Sequence, residues 1–281
     1  MNILLISLEQ SLVFLPLVFG MYLSYRILKI TDLTVDGTYV LGGAVFARTL
    51  EYGVLLAMLF AVIAGIVVGK IVALMQRHNQ VNDLIVGVLA SFMLYSINLQ
   101  ILGRPNISLL DKPNLLTIFG ITNWIIILVI IGISLIVVLV ILLNSKFGLL
   151  LRAFGQDQKL LSILGKHAEK YRIFGLALSN MLASITGVLA AQINGFADIN
   201  MGFGVALVGI GAIVIGGQLL IKPEEKFNSV KEIFSCYFGI FLYFLCISIL
   251  LRLGINPAYL KLVLGVILFL ALRRIRIRVA L

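Results

Sequence analysis

Long apolar runs separated by short polar gaps dominate this sequence. A helix rises about 1.5 Å per residue and the hydrocarbon core of a bilayer is about 30 Å thick, so about 20 apolar residues span it. Six runs reach that length, and a shorter seventh over residues 259–272 spans it if Pro257 and Ala258 begin the helix at the interface. The six runs cover residues 5–28, 53–75, 84–102, 124–143, 173–193 and 233–251.

Two further apolar segments are unusual. Residues 37–49 would form a helix only about 20 Å long, and residues 202–220 contain six glycines. Counting both as membrane-embedded predicts an all-α polytopic membrane protein of about nine segments, forming one transmembrane domain over residues 1–281. We expect the first apolar run to be retained as a span, because no basic leader precedes it.

The positions of Lys and Arg predict the direction of the chain, because basic loops stay in the cytoplasm. With the amino terminus outside and the carboxyl terminus inside, seventeen of the 22 Lys and Arg residues lie in the cytoplasm. The other five are Arg48, Arg104, Lys112, Arg252 and Lys261. The opposite orientation would invert this bias.

In this topology the two unusual segments run in opposite directions, which is typical of an inverted-repeat transporter with a pathway near the membrane midplane. Asp32 and Asp36 precede the first segment, and Asp198 and Asn200 precede the second, so each helix start has a candidate capping acceptor. Small and hydroxyl residues in both segments are candidates for lining a solute pathway. They are Thr38, Tyr39, Gly42, Gly43, Gly204, Gly209 and Gly211.

Close helix packing is the competing interpretation of these small residues. Small residues also recur every fourth position at Gly65 and Gly69 and around Gly187, where we expect neighbouring helix backbones to approach each other. Polar groups inside spans are costly, so Asn98 and Asn180 are candidates either for the pathway or for hydrogen bonds between helices.

Composition supports a membrane protein, since 61% of residues are hydrophobic and 12% are charged. The formal charge of +10 does not indicate nucleic-acid binding, because the basic residues occupy short gaps between apolar runs. Cys236 and Cys246 have no neighbouring Cys or His pair to complete a zinc site. We therefore expect no metal and no cofactor.

Catalysis by this chain is not expected. The sequence contains no glycine-rich phosphate loop with Lys and Ser or Thr, so energy for transport would come from a partner or from an ion gradient. The spans also offer no His pair, no carboxylate pair and no nucleophile beside a base.

The longest predicted cytoplasmic stretch covers residues 144–172. Its apolar stripes predict a pair of short interfacial helices, with Gly155 and Gly165 as breaks. Such helices either lie on anionic lipid or form a docking surface for a cytoplasmic partner.

Residues 151–165 of this stretch, LRAFGQDQKLLSILG, resemble the coupling loop of permeases in bacterial ATP-binding cassette importers of the branched-chain amino acid and ribose type. The resemblance extends to DLTVDGTYVLGGAV at residues 32–45, which is similar to a subgroup regarded as amino acid transporters. It also includes GRPNISLL from Gly103 and GFGVALVGIGAIVIGG from Gly202. The similar segments are spread over most of the chain.

The resemblance implies a dimer of permeases that encloses one pathway, two cytoplasmic ATP-binding subunits and an extracytoplasmic solute-binding protein. It implies that nucleotide-driven closure of the ATPases reaches the spans through residues of the cytoplasmic loop. These residues are Arg152, Gly155, Gln156, Asp157, Leu161 and Gly165. Leu160 and Leu161 depart from the small residues that relatives commonly carry there.

Two other functions fit the sequence. A secondary transporter working alone also explains an inverted repeat, but it normally needs buried carboxylates or an ion site. A membrane assembly protein needs no pathway. The polarity of the candidate pathway fits an amino acid, a nucleoside or a sugar, and the resemblance favours an amino acid.

Overall fold

The computed structural model describes residues 3–77, 81–121, 123–221 and 227–254 and the isolated positions 256, 259, 262, 265 and 266. Most of the seventh predicted run, residues 259–272, lies outside the described residues. So do His78 and the arginine-rich end of the chain.

Six helices of the described chain are long and apolar enough to cross a membrane, which confirms the six long runs predicted from the sequence. The first is α1 (Ile3–Met21), which continues as a π-helical turn over Tyr22–Ile27. The others are α3 (Val54–Met75), α4 (Asp83–Leu102), α6 (Trp124–Asn144), α9 (Ala168–Asn194) and α11 (Ser229–Arg252). A five-residue helix, α5 (Leu115–Phe119), precedes α6.

The two unusual segments are short helices. They form α2 (Val35–Thr49) and α10 (Val205–Leu220), with 15 and 16 residues. Each is shorter than the length needed to span a bilayer as a straight helix. That both cross the membrane, as two of nine segments, stays a prediction.

The connection between α1 and α2 lies inside the helix bundle. The carbonyl oxygen of Leu33 accepts a hydrogen bond from Oγ of Ser91 at 2.7 Å, and the backbone of Leu33 lies against Gly87. Gly87 and Ser91 both lie in the first half of α4. The segment that precedes α2 is therefore packed inside the bundle. The short length of α2 follows from this internal start.

Glycines let α2 and α3 pack directly on the backbone of α9. A side chain at Gly42 would collide with the carbonyl oxygen of Ser184, and one at Gly187 would collide with that of Tyr39. Gly69 of α3 faces the carbonyl oxygen of Leu176 in the same way. The predicted close approach at Gly65, Gly69 and Gly187 is therefore confirmed.

A second close pair consists of α10 and α11. Gly216 lies against the carbonyl oxygen of Ser235, and Gly239 lies against that of Ala212. By contrast, α10 meets α1 through side chains, with Gly209 facing Met21 and Leu17. The backbones of α10 and α11 are therefore in direct contact, whereas side chains separate the backbones of α10 and α1.

A small sheet, which the sequence did not predict, links the ends of α4 and α9. Strands β1 (Asn106–Ser108) and β2 (Phe196–Asp198) pair antiparallel, with Ile107 opposite Ala197. The amide of Ile199 also donates to the carbonyl oxygen of Pro105 at 2.9 Å. This sheet sets the position at which the chain turns back toward α10.

Residues 144–172 form the two short helices that their apolar stripes predict, α7 (Lys146–Gln156) and α8 (Gln158–Ile163). The break falls at Asp157 rather than at Gly155, which lies inside α7. Gly165 follows α8 with a φ of 67°, so the second predicted break is confirmed.

The neighbouring residues Gly216 and Gly217 of α10 give a matched test of backbone packing. We expect Gly216→Ala to lower the melting temperature, because overpacking against Ser235 costs about 1–3 kcal/mol. Gly217→Ala fills open space and gains helix propensity of about 1 kcal/mol, so it should not destabilise the protein. Thermal unfolding of both variants in the same detergent compares them, and equal melting temperatures would contradict the packing.

Candidate solute cavity at the start of the short helices

The carboxylate of Asp36 joins the starts of the two short helices. Its Oδ1 accepts a hydrogen bond from the amide of Ala206 at 2.6 Å, and its Oδ2 accepts one from the amide of Gly204 at 3.2 Å. Asp36 itself lies in the first turn of α2. The amino-terminal ends of α2 and α10 therefore meet at one carboxylate, whose charge is favourable there because both helix dipoles are positive at that end.

The sequence predicted that Asp32 and Asp36 cap α2 and that Asp198 and Asn200 cap α10, and this assignment is wrong. Thr34, which precedes α2, makes no side-chain capping bond, and Asp36 caps α10 instead of its own helix. Asp198 accepts a hydrogen bond from the amide of Asn200 at 2.7 Å and another from the side chain of Asn106 at 3.0 Å, within the sheet region. Gly204, with a φ of 82°, provides the turn into α10.

A second carboxylate, Asp32, is fully buried between α2 and α9. Its oxygens accept hydrogen bonds from the amide of Thr34 at 2.9 Å and from Nδ2 of Asn180 at 2.8 Å. Oδ1 of Asn180 in turn accepts from Oγ1 of Thr38 at 2.6 Å. Asn180 and Thr38 thus form hydrogen bonds between helices, which was one of the two roles predicted for Asn180.

Beside Asp36 lies a cavity of about 490 Å³, within the range of about 300–1,000 Å³ typical of small-molecule sites. It lies between the start of α2, one face of α4 and the segment before α10. Its polar lining residues are Asp36, Ser91, Tyr95 and Asn98, and its aromatic ones include Phe92 and Phe203. Phe92 and Phe203 are 71% and 60% exposed, so the cavity opens at the side of the chain.

Asn98 has a buried hydrogen-bond acceptor without a partner among the described residues. Its Nδ2 donates to the carbonyl oxygen of Gly37 at 2.9 Å, and its Oδ1 has no hydrogen bond although the residue is only 1% exposed. Because a carbonyl oxygen only accepts hydrogen bonds, the partner of Gly37 has to be the amide nitrogen. The side-chain oxygen is therefore the group left for another donor.

Of the eight residues predicted for the pathway, Asn98 lines this cavity and Gly204 lies next to its wall at Asp36. The other six pack between helices. Tyr39 is buried and stacks on Phe14 with 5.9 Å between ring centroids, and Gly43 faces the side chain of Met201. The remaining positions are Thr38 and Gly42 against α9, Gly209 against α1, and Gly211, which is buried in α10.

The sequence reasoning missed Ser91, Phe92, Tyr95 and Phe203. The spacing of three of the cavity residues could have identified them. Ser91, Tyr95 and Asn98 follow one another at intervals of four and three residues, which places them on one face of α4. A polar stripe on an otherwise apolar helix indicates a surface that lipid does not cover.

A second cavity, of about 320 Å³, lies between α3, α5 and α6. Its described lining is entirely apolar and includes Leu55, Phe119 and Ile130. A polar solute finds no hydrogen-bonding side chain there, so the first cavity is the better candidate.

The loop residues that the resemblance assigned to coupling lie in and between α7 and α8 and just after α8. Gly155 lies directly against the carbonyl oxygen of Ile27 in the π-helical turn, and Arg152 stacks over Phe227 with 4.0 Å to the ring centroid. Leu161 is buried, whereas Ile163 at the end of α8 is 82% exposed. Gln156 ends α7, Asp157 separates the two helices and Gly165 follows α8.

A buried arginine connects the same loop to the long helices. Arg172 in the first turn of α9 donates to the carbonyl oxygen of Gln76 at the end of α3. Its guanidinium lies 5.7 Å from the ring centroid of Phe154 in α7. The loop is thus packed against α1, α3 and α9 on one side and open on the other.

Comparison with known proteins places the whole chain in one group. The family model described as branched-chain amino acid transport system, permease component, matches residues 3–272. The chain is 59% identical over 276 residues to an uncharacterised protein of Rickettsia prowazekii (strain Madrid E), covering 98% of this chain and 99% of that protein. It is 31% identical over 261 residues to a tyrosine transport system permease protein of Clostridioides difficile (strain R20291), covering 92% and 86% of the two chains. No solved structure matches it significantly.

Removing the Asp36 carboxylate should expose the start of α10. In Asp36→Ala we expect the amides of Gly204 and Ala206 to exchange with deuterium about tenfold faster or more, because a hydrogen bond to a charged group contributes about 1.5–3 kcal/mol. Asp198→Ala is the matched control, since that carboxylate bonds to Asn200 and not to α10. Unchanged protection of residues 204–206 in Asp36→Ala, measured by mass spectrometry, would contradict the shared cap.

Proposed function

The chain belongs to the family of branched-chain amino acid transport system permease components, and from this premise we propose that it is the membrane subunit of an ATP-driven importer of an amino acid. It is an ABC-type permease and a multi-pass protein of the inner membrane. This family transports solutes and is not a family of enzymes. The observation that carries the proposal is the cavity at Asp36, where two short helices begin beside a polar face of α4.

A second copy of the permease covers this cavity in the proposed complex. A carboxylate and an asparagine line a cavity that opens at the side of the chain, and lipid is a poor neighbour for such groups. Water or protein has to face them instead. Two chains related by a twofold axis would place two such walls opposite each other and enclose one pathway between them.

The loop over residues 144–172 is the proposed contact with the ATP-binding subunit. Its inner side rests on the π-helical turn at Gly155 and on α3 through Arg172, and its outer side exposes Ile163 and Leu164. A force on α7 would therefore reach the end of α1 at Ile27 directly, and would reach α3 through Arg172 of α9. In this role the closure of the ATP-binding subunits is transmitted to the spans at Arg152, Gly155, Gln156, Asp157, Leu161 and Gly165.

The topology that accompanies this function has the amino terminus outside, the carboxyl terminus inside and nine segments in one domain over residues 1–281. The β1–β2 sheet then lies on the outer side, where an extracytoplasmic solute-binding protein would deliver its cargo. The relative from C. difficile is named as a tyrosine permease, so L-tyrosine is the first solute to test.

Reconstitution with its partners tests the function. We expect the chain to co-purify with its ATP-binding subunit and, with the solute-binding protein, to support ATP-dependent uptake of L-tyrosine into proteoliposomes. Gly155→Ala should lower uptake about tenfold, which corresponds to ~1.4 kcal/mol, because the added carbon collides with Ile27 beneath α7. Gly217→Ala is the matched control, since its new carbon meets open space.

The outcome separates the competing functions. Uptake by the chain alone, driven by a proton or sodium gradient, would favour a secondary transporter. Failure to associate with an ATPase, together with no uptake of any amino acid, would favour a membrane assembly protein.

Thiol labelling tests the proposed orientation. Leu110→Cys and Ile163→Cys place reactive groups at positions that are 76% and 82% exposed, in a background where Cys236 and Cys246 are replaced by Ser. We expect a membrane-impermeant maleimide to label position 110 in intact cells and position 163 only after the membrane is opened. The reverse pattern would invert the topology.

A further inference from the structure

We propose that the cavity beside Asp36 recognises the protonated amine of its solute, with the ammonium group between Asp36 and Asn98 and an aromatic body against Phe92, Tyr95 and Phe203. This inference rests on the proposed function and gives the chemistry of recognition at the same site. The solute class is an amine with a large apolar or aromatic side chain.

The hydrogen-bonding groups of the cavity are mostly acceptors. Asp36 is the one charged residue in the described lining, and its carboxylate is an acceptor that brings a negative charge to the cavity wall. Oδ1 of Asn98 is an acceptor with no partner among the described residues. Ser91 donates its hydrogen to the carbonyl oxygen of Leu33 and so presents lone pairs. A solute rich in donors complements this wall.

An ammonium group fits these acceptors better than the other solutes considered. It offers three N–H donors and a positive charge opposite the single carboxylate. A sugar or a nucleoside presents acceptors as well as donors, and Tyr95 is the lining side chain with a hydroxyl left to donate. A solute whose only charge is a carboxylate would be repelled by Asp36.

The apolar part of the lining fits an aromatic body. Phe92 and Phe203 present large exposed ring surfaces at the cavity mouth, and Tyr95 is 42% exposed beside them. Aromatic rings pack against each other at centroid distances of about 4.5–7 Å, and their faces also attract a cation.

A ligand series that separates the amine from the carboxylate tests this assignment. The probes are tyramine and 3-(4-hydroxyphenyl)propionate, which share the phenol ring and differ in the charged group. With the full chain in lipid nanodiscs, saturation-transfer difference NMR at millimolar probe should show transfer to tyramine at least about tenfold stronger than transfer to the propionate. Equal transfer to both probes, or transfer to neither, would overturn the proposal.

Variants assign the effect to the proposed residues. Asp36→Asn keeps an oxygen for the α10 amides but removes the charge, so transfer to tyramine should fall about tenfold while Asp198→Asn leaves it unchanged. Phe92→Ala changes an exposed side chain, so we expect it to keep the circular dichroism spectrum of the parent chain and to weaken transfer. Undiminished transfer in both Asp36→Asn and Phe92→Ala would place the amine elsewhere.

The result is independent of the transport assay. ATP-driven uptake together with NMR transfer that does not depend on the amine would reject this inference and keep the importer. Amine-selective transfer without association with an ATPase would keep the site and reject the importer.

Discussion

The structure depends on one constraint: backbone that leaves the helical state inside the bundle has to find hydrogen-bond partners without water. Two segments break in this way, before α2 and before α10. The first is satisfied by side chains of α4, where Ser91 bonds to Leu33 and Asn98 bonds to Gly37, and by Asp32 at the amide of Thr34. The second is satisfied by Asp36. Ser91, Asn98 and Asp36 also line the cavity, so its polarity is a consequence of how the two breaks are stabilised.

Asp36 illustrates why structural and functional roles coincide here. A charged group inside a membrane protein is costly unless donors surround it, and the amino-terminal end of α10 supplies two of them. The charged carboxylate is thereby kept at the cavity wall. Asp32 shows the other possibility, because its fully buried oxygens bond to Thr34 and Asn180 and stabilise the contact of α2 with α9.

Hydropathy and charge were sufficient for the parts of the fold that local sequence determines. The six long helices, the two short ones and the α7–α8 pair follow from run length and apolar spacing. The shared cap was not predictable in this way, since Asp36 and Ala206 are 170 positions apart and a sequence near a helix start suggests only a local cap. In the sequence, Gly42, Gly43 and Gly209 were compatible both with a solute pathway and with helix packing. The two interpretations differ in what each glycine faces, and that contact comes from a distant part of the chain.

The glycine contacts have a mechanical consequence. Where a backbone lies directly on another backbone, as at Gly20, Gly42 and Gly187, no flexible side chain can absorb a change in crossing angle, and α1, α2 and α9 behave as one stiff slab. The pair α10 and α11 is a second slab, fixed at Gly216 and Gly239. Between the slabs lie side-chain contacts, which are Met21 and Leu17 at Gly209, the hydrogen bond from Ser7 to Ser248 and the packing of Phe14 on Phe244, together with the glycine turn at residue 204. The cavity therefore has one wall, at the start of α2, on the first slab, and another wall in the segment that leads into the second slab.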